Sequence, residues 1–161
     1  MGFYNDKIVP RLVTCACGTK PILKQREKVV PLAAGRVLEI GVGAGHNLPY
    51  YDAARVDSIL GIDPCTTSWA LAQNRASQLG VPLEFLEGSA EDMPLPDESF
   101  DTVLMTFSLC TIPDGRAALA EIQRVLRPGG QLVFCEHGEA PDDSVARWQA
   151  RMRTRTRTDR P

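Results

Sequence analysis

The sequence predicts an α/β fold in which five parallel strands form a doubly wound sheet with the strand order 3-2-1-4-5. Two observations carry this prediction. Short apolar runs of strand length alternate with segments of helical periodicity between residues 35 and 137, and the first run ends in a glycine-rich turn. In such a sheet, ligands bind at the carboxyl ends of the first and fourth strands, where the strand order reverses.

The residues before the sheet have helical rather than strand periodicity. Residues 1–34 predict two helices, at 5–14 and 21–30, and Pro21 is acceptable in the first turn of the second helix. These helices are expected to cap the sheet. The basic residues around the second helix predict a solvent-exposed face, with a membrane surface or an acidic partner as the alternative; they are Lys20, Lys24, Arg26 and Lys28.

The first predicted strand, residues 37–40, leads into a G-x-G-x-G motif. Gly41, Gly43 and Gly45 allow a ligand to approach the backbone more closely than a Cβ would permit, although an ordinary strand-to-helix turn is the alternative. A pyrophosphate-binding loop instead has the spacing G-x-G-x-x-G. Glu39 lies two residues before the first glycine, and its charge suits a ligand with ammonium and sulfonium groups. An NAD-dependent oxidoreductase is therefore disfavoured.

The second predicted strand, residues 58–63, ends in an acid. Asp63 follows Glu39 by 24 residues, close to the offset of about 20 at which an acid reaches ribose hydroxyls. The alternative is a helix cap or an Asx turn before Pro64. A third strand is predicted to begin at residue 83.

The last two strands follow a helical segment and a strong helix stop. Residues 99–107 predict the fourth strand, and residues 114–125 predict a helix. Arg127–Gly130 ends that helix, because proline cannot continue the hydrogen-bond ladder and glycine permits the reversal into a fifth strand. Further helices are predicted at 47–51 and 66–79.

Four motifs together resemble the class I S-adenosylmethionine-dependent methyltransferases over residues 36–137: the acidic glycine loop, Asp63, Ser99–Asp101 and Arg127–Gly130. The resemblance implies a Rossmann-like fold and S-adenosyl-L-methionine (SAM) as cofactor. Many relatives have Asp at the position of Ser89, which leaves the adenine contact open between Ser89, Glu91 and the backbone. The implied cofactor-binding residues are Glu39, Gly41, Gly43, Gly45, Asn47, Asp63, Pro64, Ser89, Ala90, Glu91 and Thr106.

Further segments resemble a bacterial group similar to the animal methyltransferase-like proteins that methylate alkyl thiols; they are residues 5–10, 17–21, 26–31, 38–51 and 135–137. This resemblance implies methyl transfer to a small-molecule nucleophile, with a thiol favoured. Phospholipid and quinone methyltransferases have similar glycine loops and remain alternatives. Because thiolate is a stronger nucleophile than thiol, His137 is a candidate base, with a strand-end hydrogen-bonding role as the alternative. The candidate residues of the substrate pocket are Tyr50, Tyr51, Cys110 and His137.

Composition indicates one domain without a metal site. The 161 residues are 43% hydrophobic and 24% charged, which suits a single core. The five cysteines form no C-x-x-C pair and only two histidines are available, so no metal is expected, and Cys110 and Cys135 are predicted to be buried small hydrophobes. Neither a membrane-spanning run nor a signal peptide is evident, which predicts a cytoplasmic protein.

The sequence divides into a helical cap at 1–34, a SAM-binding core at 35–138 and a basic, partly disordered tail at 139–161. The last two strands expected of the class are missing, so the tail is interpreted as the product of a truncation or a shifted reading frame. Residues 147–161 carry six arginines and one aspartate, but Thr-Arg repetition without aromatics beyond Trp148 gives no strong nucleic-acid signal. Two consequences are an open sheet edge that could form a homodimer and the alternative of a non-catalytic SAM-binding module.

Overall fold

A computed structural model of the chain describes residues 18–77, 79–138 and 147. It confirms the predicted sheet, which is all parallel with the order β3-β2-β1-β4-β5. The strands are β1 (Gly35–Ile40), β2 (Val56–Asp63), β3 (Leu83–Glu87), β4 (Phe100–Thr106) and β5 (Leu126–Cys135). The helices are α1 (Lys20–Val29), α2 (Thr66–Ala76) and α3 (Gly115–Val125), with short 3-10 turns at Val30–Leu32, Leu48–Tyr50 and Leu109–Thr111.

Both faces of the sheet are buried, as the doubly wound arrangement requires. Leu38 of β1 belongs to a cluster that packs against α3 through Ile122 and Val125. Its neighbour Val37 belongs to a second cluster, which includes Ala72 of α2. Successive strand residues point to opposite faces, so this alternation divides the core between the two layers of helices.

The Pro-Gly-Gly segment differs from the prediction, because it lies inside β5 rather than before it. Leu126 pairs with Phe100, but the next pair joins Gln131 to Thr102, so the intervening residues form an irregularity in the strand. Proline cannot donate to the ladder, and Gly129 has a φ of +81°, which favours glycine.

Three further expectations need adjustment. The helix predicted at 47–51 is only a 3-10 turn, and the helix predicted at 66–79, α2, ends at Ala76. Cys110 was predicted to be buried but is exposed, because it lies in a surface turn after β4. The helix predicted at 5–14 lies outside the described residues, as does the tail 139–161 apart from residue 147. Within the described ranges, no helix has the length and hydropathy needed to span a membrane.

The basic residues of α1 do not share one exposed face. Lys20, Lys24 and Lys28 are exposed, but Arg26 is only 5% exposed. The prediction of a wholly solvated basic face was therefore wrong for Arg26. Its position in the helix places it on the side that packs towards the sheet, where Val30 is also buried.

The strand register brings the functional loops to one edge of the sheet. Ile40 pairs with Ile62 of β2 and with Met105 of β4. Asp63 pairs with Glu87 at the end of β3. The carboxyl ends of four neighbouring strands are consequently level, and the residues that follow them face a common space.

The N-cap of α3 gives a stability prediction. The Asp114 side chain accepts hydrogen bonds from Arg116 N at 3.0 Å and Ala117 N at 3.1 Å. Asp114→Ala should lower the free energy of unfolding by about 1 kcal/mol in chemical denaturation, because two backbone donors lose their acceptor. Asp114→Ser, which retains a capping oxygen, should recover most of this loss, and an equal loss in both variants would contradict the capping explanation.

Candidate active site

A cavity of about 310 Å³ lies at the carboxyl edge of the sheet, within the size range of small-molecule sites. Four strand ends and α1 contribute to its wall. Among its lining residues are Gly41, Val42, Gly43 and Ala44 after β1, Asp63, Pro64 and Cys65 at β2, Gly88, Ser89 and Ala90 after β3, Thr106, Phe107 and Ser108 at β4, and Arg26 of α1.

The three motif glycines have different structural roles. Gly41 has a φ of +72°, and a Cβ there would collide with the Ser108 side chain. A Cβ on Gly45 would lie 2.7 Å from Leu48 and 2.9 Å from Ala72, so Gly45 permits close packing and does not line the cavity. Gly43 has open space instead, since a Cβ on this residue would lie 3.8 Å from its nearest heavy atom, the Gly41 carbonyl oxygen. Gly43 is thus the residue at which bare backbone faces the cavity.

Asp63 joins the glycine loop to the end of β2. Its Oδ2 accepts a hydrogen bond from Gly43 N at 2.9 Å, and its Oδ1 accepts one from Cys65 N at 2.8 Å. The hydrogen bond from Cys65 N forms an Asx turn, which was a predicted alternative to ribose binding. Asp63 also lines the cavity. Burial raises the pKa of Asp63 above its usual value, while both backbone bonds lower it.

Glu39 lies behind the loop rather than in the cavity wall. It is 1% exposed, accepts a hydrogen bond from Asn47 Nδ2 at 2.9 Å, and accepts another from Tyr51 Oη at 2.7 Å. Burial raises its pKa from 4.5 to about 7, although these two bonds and the charge of Arg26 lower it. Burial and the neighbouring Glu39 also raise the pKa of Tyr51. The carboxyl group therefore anchors the loop instead of facing a ligand directly.

Arg26 connects this buried group to the cavity. Its Nη1 donates to Asn47 Oδ1 at 2.7 Å and to Thr106 Oγ1 at 2.5 Å. Asn47 Nδ2 also donates to Thr106 Oγ1 at 2.9 Å. Arg26 and Thr106 line the cavity, whereas Asn47 does not. Sequence reasoning missed Arg26, but the spacing of Ile22, Arg26 and Val30 along one helix face could have indicated it.

The wall after β4 is built around Phe107, a non-glycine residue with a φ of +55°. Such a conformation costs about 1–3 kcal/mol and is concentrated at functional sites. Phe107 N donates to Cys135 O at 2.8 Å, and the Arg26 guanidinium lies 5.1 Å from the centre of the Phe107 ring. On the next residues, Ser108 N and Leu109 N donate to the Glu136 carboxylate at 2.9 and 3.0 Å. The end of β5 therefore fixes this wall.

The turn after β3 is held by Glu91. Ser89 Oγ donates to Glu91 Oε2 at 2.8 Å, and Asp114 N donates to Glu91 Oε1 at 2.5 Å. Ser89 and Ala90 line the cavity, while Glu91 lies outside its wall and joins the turn to the start of α3. Of the groups in this turn, Ser89 and Ala90 therefore face the cavity and Glu91 does not.

Seven of the predicted site residues line the cavity, namely Gly41, Gly43, Asp63, Pro64, Ser89, Ala90 and Thr106. Eight do not, namely Glu39, Gly45, Asn47, Glu91, Tyr50, Tyr51, Cys110 and His137. Tyr51 is buried against Glu39, and Tyr50 packs on the second core cluster. His137 is exposed, and its ring lies 4.9 Å from that of Phe107. In the described part of the chain, no group of three or more His, Cys, Asp or Glu residues could hold a metal.

The family model described as a methyltransferase domain matches residues 38–134, which begin within β1 and include β2 to β4 and most of β5. The chain belongs to the methyltransferase domain family. Membership implies SAM as methyl donor, as the resemblance of the motifs did. The lining residues fit such a molecule, because open backbone at Gly43, a carboxylate, Asp63, and a cation, Arg26, line the same cavity.

Methyltransferases with different substrates are similar to this chain. A phosphatidylethanolamine N-methyltransferase of Cereibacter sphaeroides is 38% identical over 105 residues, or 64% of this chain and 51% of that protein. A thiol S-methyltransferase of Homo sapiens is 38% identical over 124 residues, or 73% of this chain and 50% of that protein. The crystal structure of the YcgJ protein from Bacillus subtilis has a TM-score of 0.66 at 29% identity, covering 81% of this chain and 56% of YcgJ. The chain spans about half the length of the curated relatives it matches.

The raised pKa of Glu39 predicts a specific dependence of stability on pH. An acid with a higher pKa in the folded than in the unfolded state stabilises the fold at low pH, and this contribution is lost as pH rises from 4.5 to about 7. Glu39→Gln mimics the protonated acid, so its unfolding free energy relative to wild type should increase by about 3 kcal/mol between pH 4 and pH 8.

The measurement is urea denaturation across that pH range. Glu84→Gln removes an exposed carboxylate from β3 and should give a profile parallel to that of wild type. Parallel profiles for Glu39→Gln and wild type would show that the pKa of Glu39 is the same in the folded protein as in the unfolded chain.

Proposed function

We propose that this methyltransferase domain binds SAM and transfers the methyl group to a small-molecule nucleophile, with a thiol as the favoured acceptor. One observation carries the proposal: a continuous cavity joins Asp63, the open backbone at Gly43 and the wall formed by Phe107 and Ser108. A ligand that extends across the strand ends can therefore contact all three in one binding mode.

The cofactor side of the cavity is assigned from its polar groups. Asp63 would accept hydrogen bonds from a ribose diol, and the Ser89–Ala90 turn after β3 would lie beside the adenine, since both line the cavity. Gly43 leaves room for the amino-acid portion. When bound, SAM supplies an electrophilic methyl group on a sulfonium.

The acceptor side is proposed to be the wall beyond Phe107, where Ile112 and Pro113 also line the cavity. The enzyme's main tasks in methyl transfer are to align the nucleophile and to exclude water, and an apolar wall serves both. Because Phe107 is fixed in a strained conformation by Cys135, this wall can hold an acceptor in one orientation.

A thiol suits this wall better than an amine does. A free thiol has a pKa near 8.5, so a useful fraction is already thiolate near neutral pH, whereas an alkylamine near 10.4 remains protonated without a base. The candidate base His137 does not line the cavity, although its ring lies 4.9 Å from that of Phe107, which does. Similarity to a thiol S-methyltransferase supports the same choice, while the phospholipid methyltransferase keeps phospholipid amines as the second candidate.

The open backbone at Gly43 gives a binding prediction. Gly43→Ala would place a methyl group between the Gly41 carbonyl and the Asp63 carboxylate, so affinity for S-adenosylhomocysteine should fall at least tenfold in calorimetry. Gly80→Ala is a matched control, because Gly80 has a φ of +71° and no heavy atom within 4 Å of its Cβ position. Equal affinities of the two variants for S-adenosylhomocysteine would show that Gly43 is not part of the binding surface.

A turnover assay distinguishes an enzyme from a module that only binds SAM. Purified protein should bind SAM and S-adenosylhomocysteine but not NAD, and should methylate an alkyl thiol faster than a phospholipid amine or a quinol. The rate with the thiol should rise with pH up to the pKa of the acceptor, since thiolate is the reacting form.

Asp63→Asn should weaken cofactor binding at least tenfold, because one carboxylate oxygen is replaced by an amide donor that faces a backbone N–H group, at Gly43 or at Cys65. Asp57→Asn changes an exposed carboxylate of the same strand and should leave binding unchanged. Cofactor binding without turnover on any acceptor would identify a non-catalytic module, and absence of binding by the folded wild type would refute the proposed function.

A further inference from the structure

The cavity has opposite charges at two of the strand ends that form it. Asp63 lies at the end of β2, and Arg26 contacts Thr106 at the end of β4. Strand β1 separates these two strands, so the ends are about 10 Å apart at the usual interstrand spacing. Among the described residues, Arg26 is the one arginine or lysine that lines this cavity. The cavity therefore has a negative charge at its β2 end and a positive charge at its β4 end.

Because of this charge separation, an elongated ligand with different polar groups at its two ends binds favourably in only one orientation. A ribose diol donates hydrogen bonds and is stabilised by the Asp63 carboxylate, whereas a ligand carboxylate would be repelled there. The amino-acid end of SAM carries such a carboxylate. With the ribose at Asp63 and the adenine towards β3, the amino-acid end extends across β1 towards β4, where Arg26 lies.

We propose that Arg26 of α1 binds the α-carboxylate of the methionine portion of SAM and thereby orients the cofactor. This inference rests on the proposed function, because it requires SAM to occupy the cavity. It assigns to α1, a helix outside the residues matched by the family model, a direct part in the cofactor site.

The surroundings of Arg26 hold its guanidinium in place for this role. Nη1 donates to Asn47 and Thr106, and the centre of the Phe107 ring lies 5.1 Å from the guanidinium carbon. Those hydrogen bonds require a donor but not a charge. A guanidinium has five N–H donors and can serve protein and ligand acceptors together, and it binds carboxylates through two parallel bonds. It also stays protonated at all relevant pH values.

The test combines variants with ligands that differ only at the carboxylate. Decarboxylated SAM retains the adenosine, the sulfonium and the amine, so a comparison with SAM isolates the carboxylate. Affinities of both compounds would be measured by calorimetry for wild type, Arg26→Gln and Arg26→Lys. Lys28→Gln is the matched control, since it removes an exposed positive charge from the same helix.

Wild type should bind SAM roughly 10- to 100-fold more tightly than decarboxylated SAM, as expected for charge-assisted hydrogen bonds. Arg26→Gln should remove most of that preference by weakening SAM alone, with less than about a threefold change for the decarboxylated compound. Arg26→Lys should have an intermediate preference, because it keeps the charge but not the paired bonds. Lys28→Gln should behave like wild type.

Three results overturn the inference in distinguishable ways. Equal weakening of both ligands in Arg26→Gln would mean that Arg26 only supports the fold of the site. Equal affinity of wild type for SAM and decarboxylated SAM would mean that no group binds the carboxylate, and this result needs no variant even if Arg26→Gln fails to fold. Failure of wild type to bind either compound would instead refute the proposed function itself.

Discussion

The hydrogen bonds of Asn47 hold together the parts of the molecule on which the site depends. Its Oδ1 accepts from Arg26 of α1, and its Nδ2 donates to Glu39 of β1 and to Thr106 of β4. All four side chains are buried. Because a buried carboxyl group and a buried guanidinium are costly unless they are hydrogen-bonded, this amide must occupy one position. The chain from Gly41 to Asn47 therefore closes over the end of β1 in a single conformation, which the three glycines make sterically possible.

The two acidic residues near the carboxyl ends of β1 and β2 have different roles because their surroundings differ. Glu39 is enclosed by Asn47 and Tyr51, and burial raises its pKa to about 7. Asp63 is half-buried and contacts backbone N–H groups of two loops. Glu39 stabilises the glycine loop from the protein interior, and Asp63 stabilises it from the cavity side. Loss of either would move the loop, so we expect substitutions at both positions to change the shape of the cavity, although only Asp63 lines it.

The sequence was sufficient to predict the sheet and much of the cavity, but not the direction of individual side chains. Apolar runs alternating with helices determine the strand order, and level strand ends place Asp63 and Gly43 at one edge. Strand β1 is buried on both faces, so periodicity could not tell whether Glu39 faces the ligand or the interior. Phe107 was missed because a left-handed non-glycine residue has no sequence signal, and Arg26 because its lysine neighbours indicated an exposed face.

The same hydrogen bonds connect α1 to the cavity, although this helix lies outside the sheet. Arg26 contacts Asn47 of the cofactor loop and Thr106 of β4, and its guanidinium covers Phe107 on the proposed acceptor side. A shift of α1 would thus disturb the cofactor loop and the acceptor wall together. Sites that are already ordered before binding lose less entropy when the ligand arrives. The contacts that fix α1 to the sheet therefore also preorganise the loop after β1 and the wall after β4.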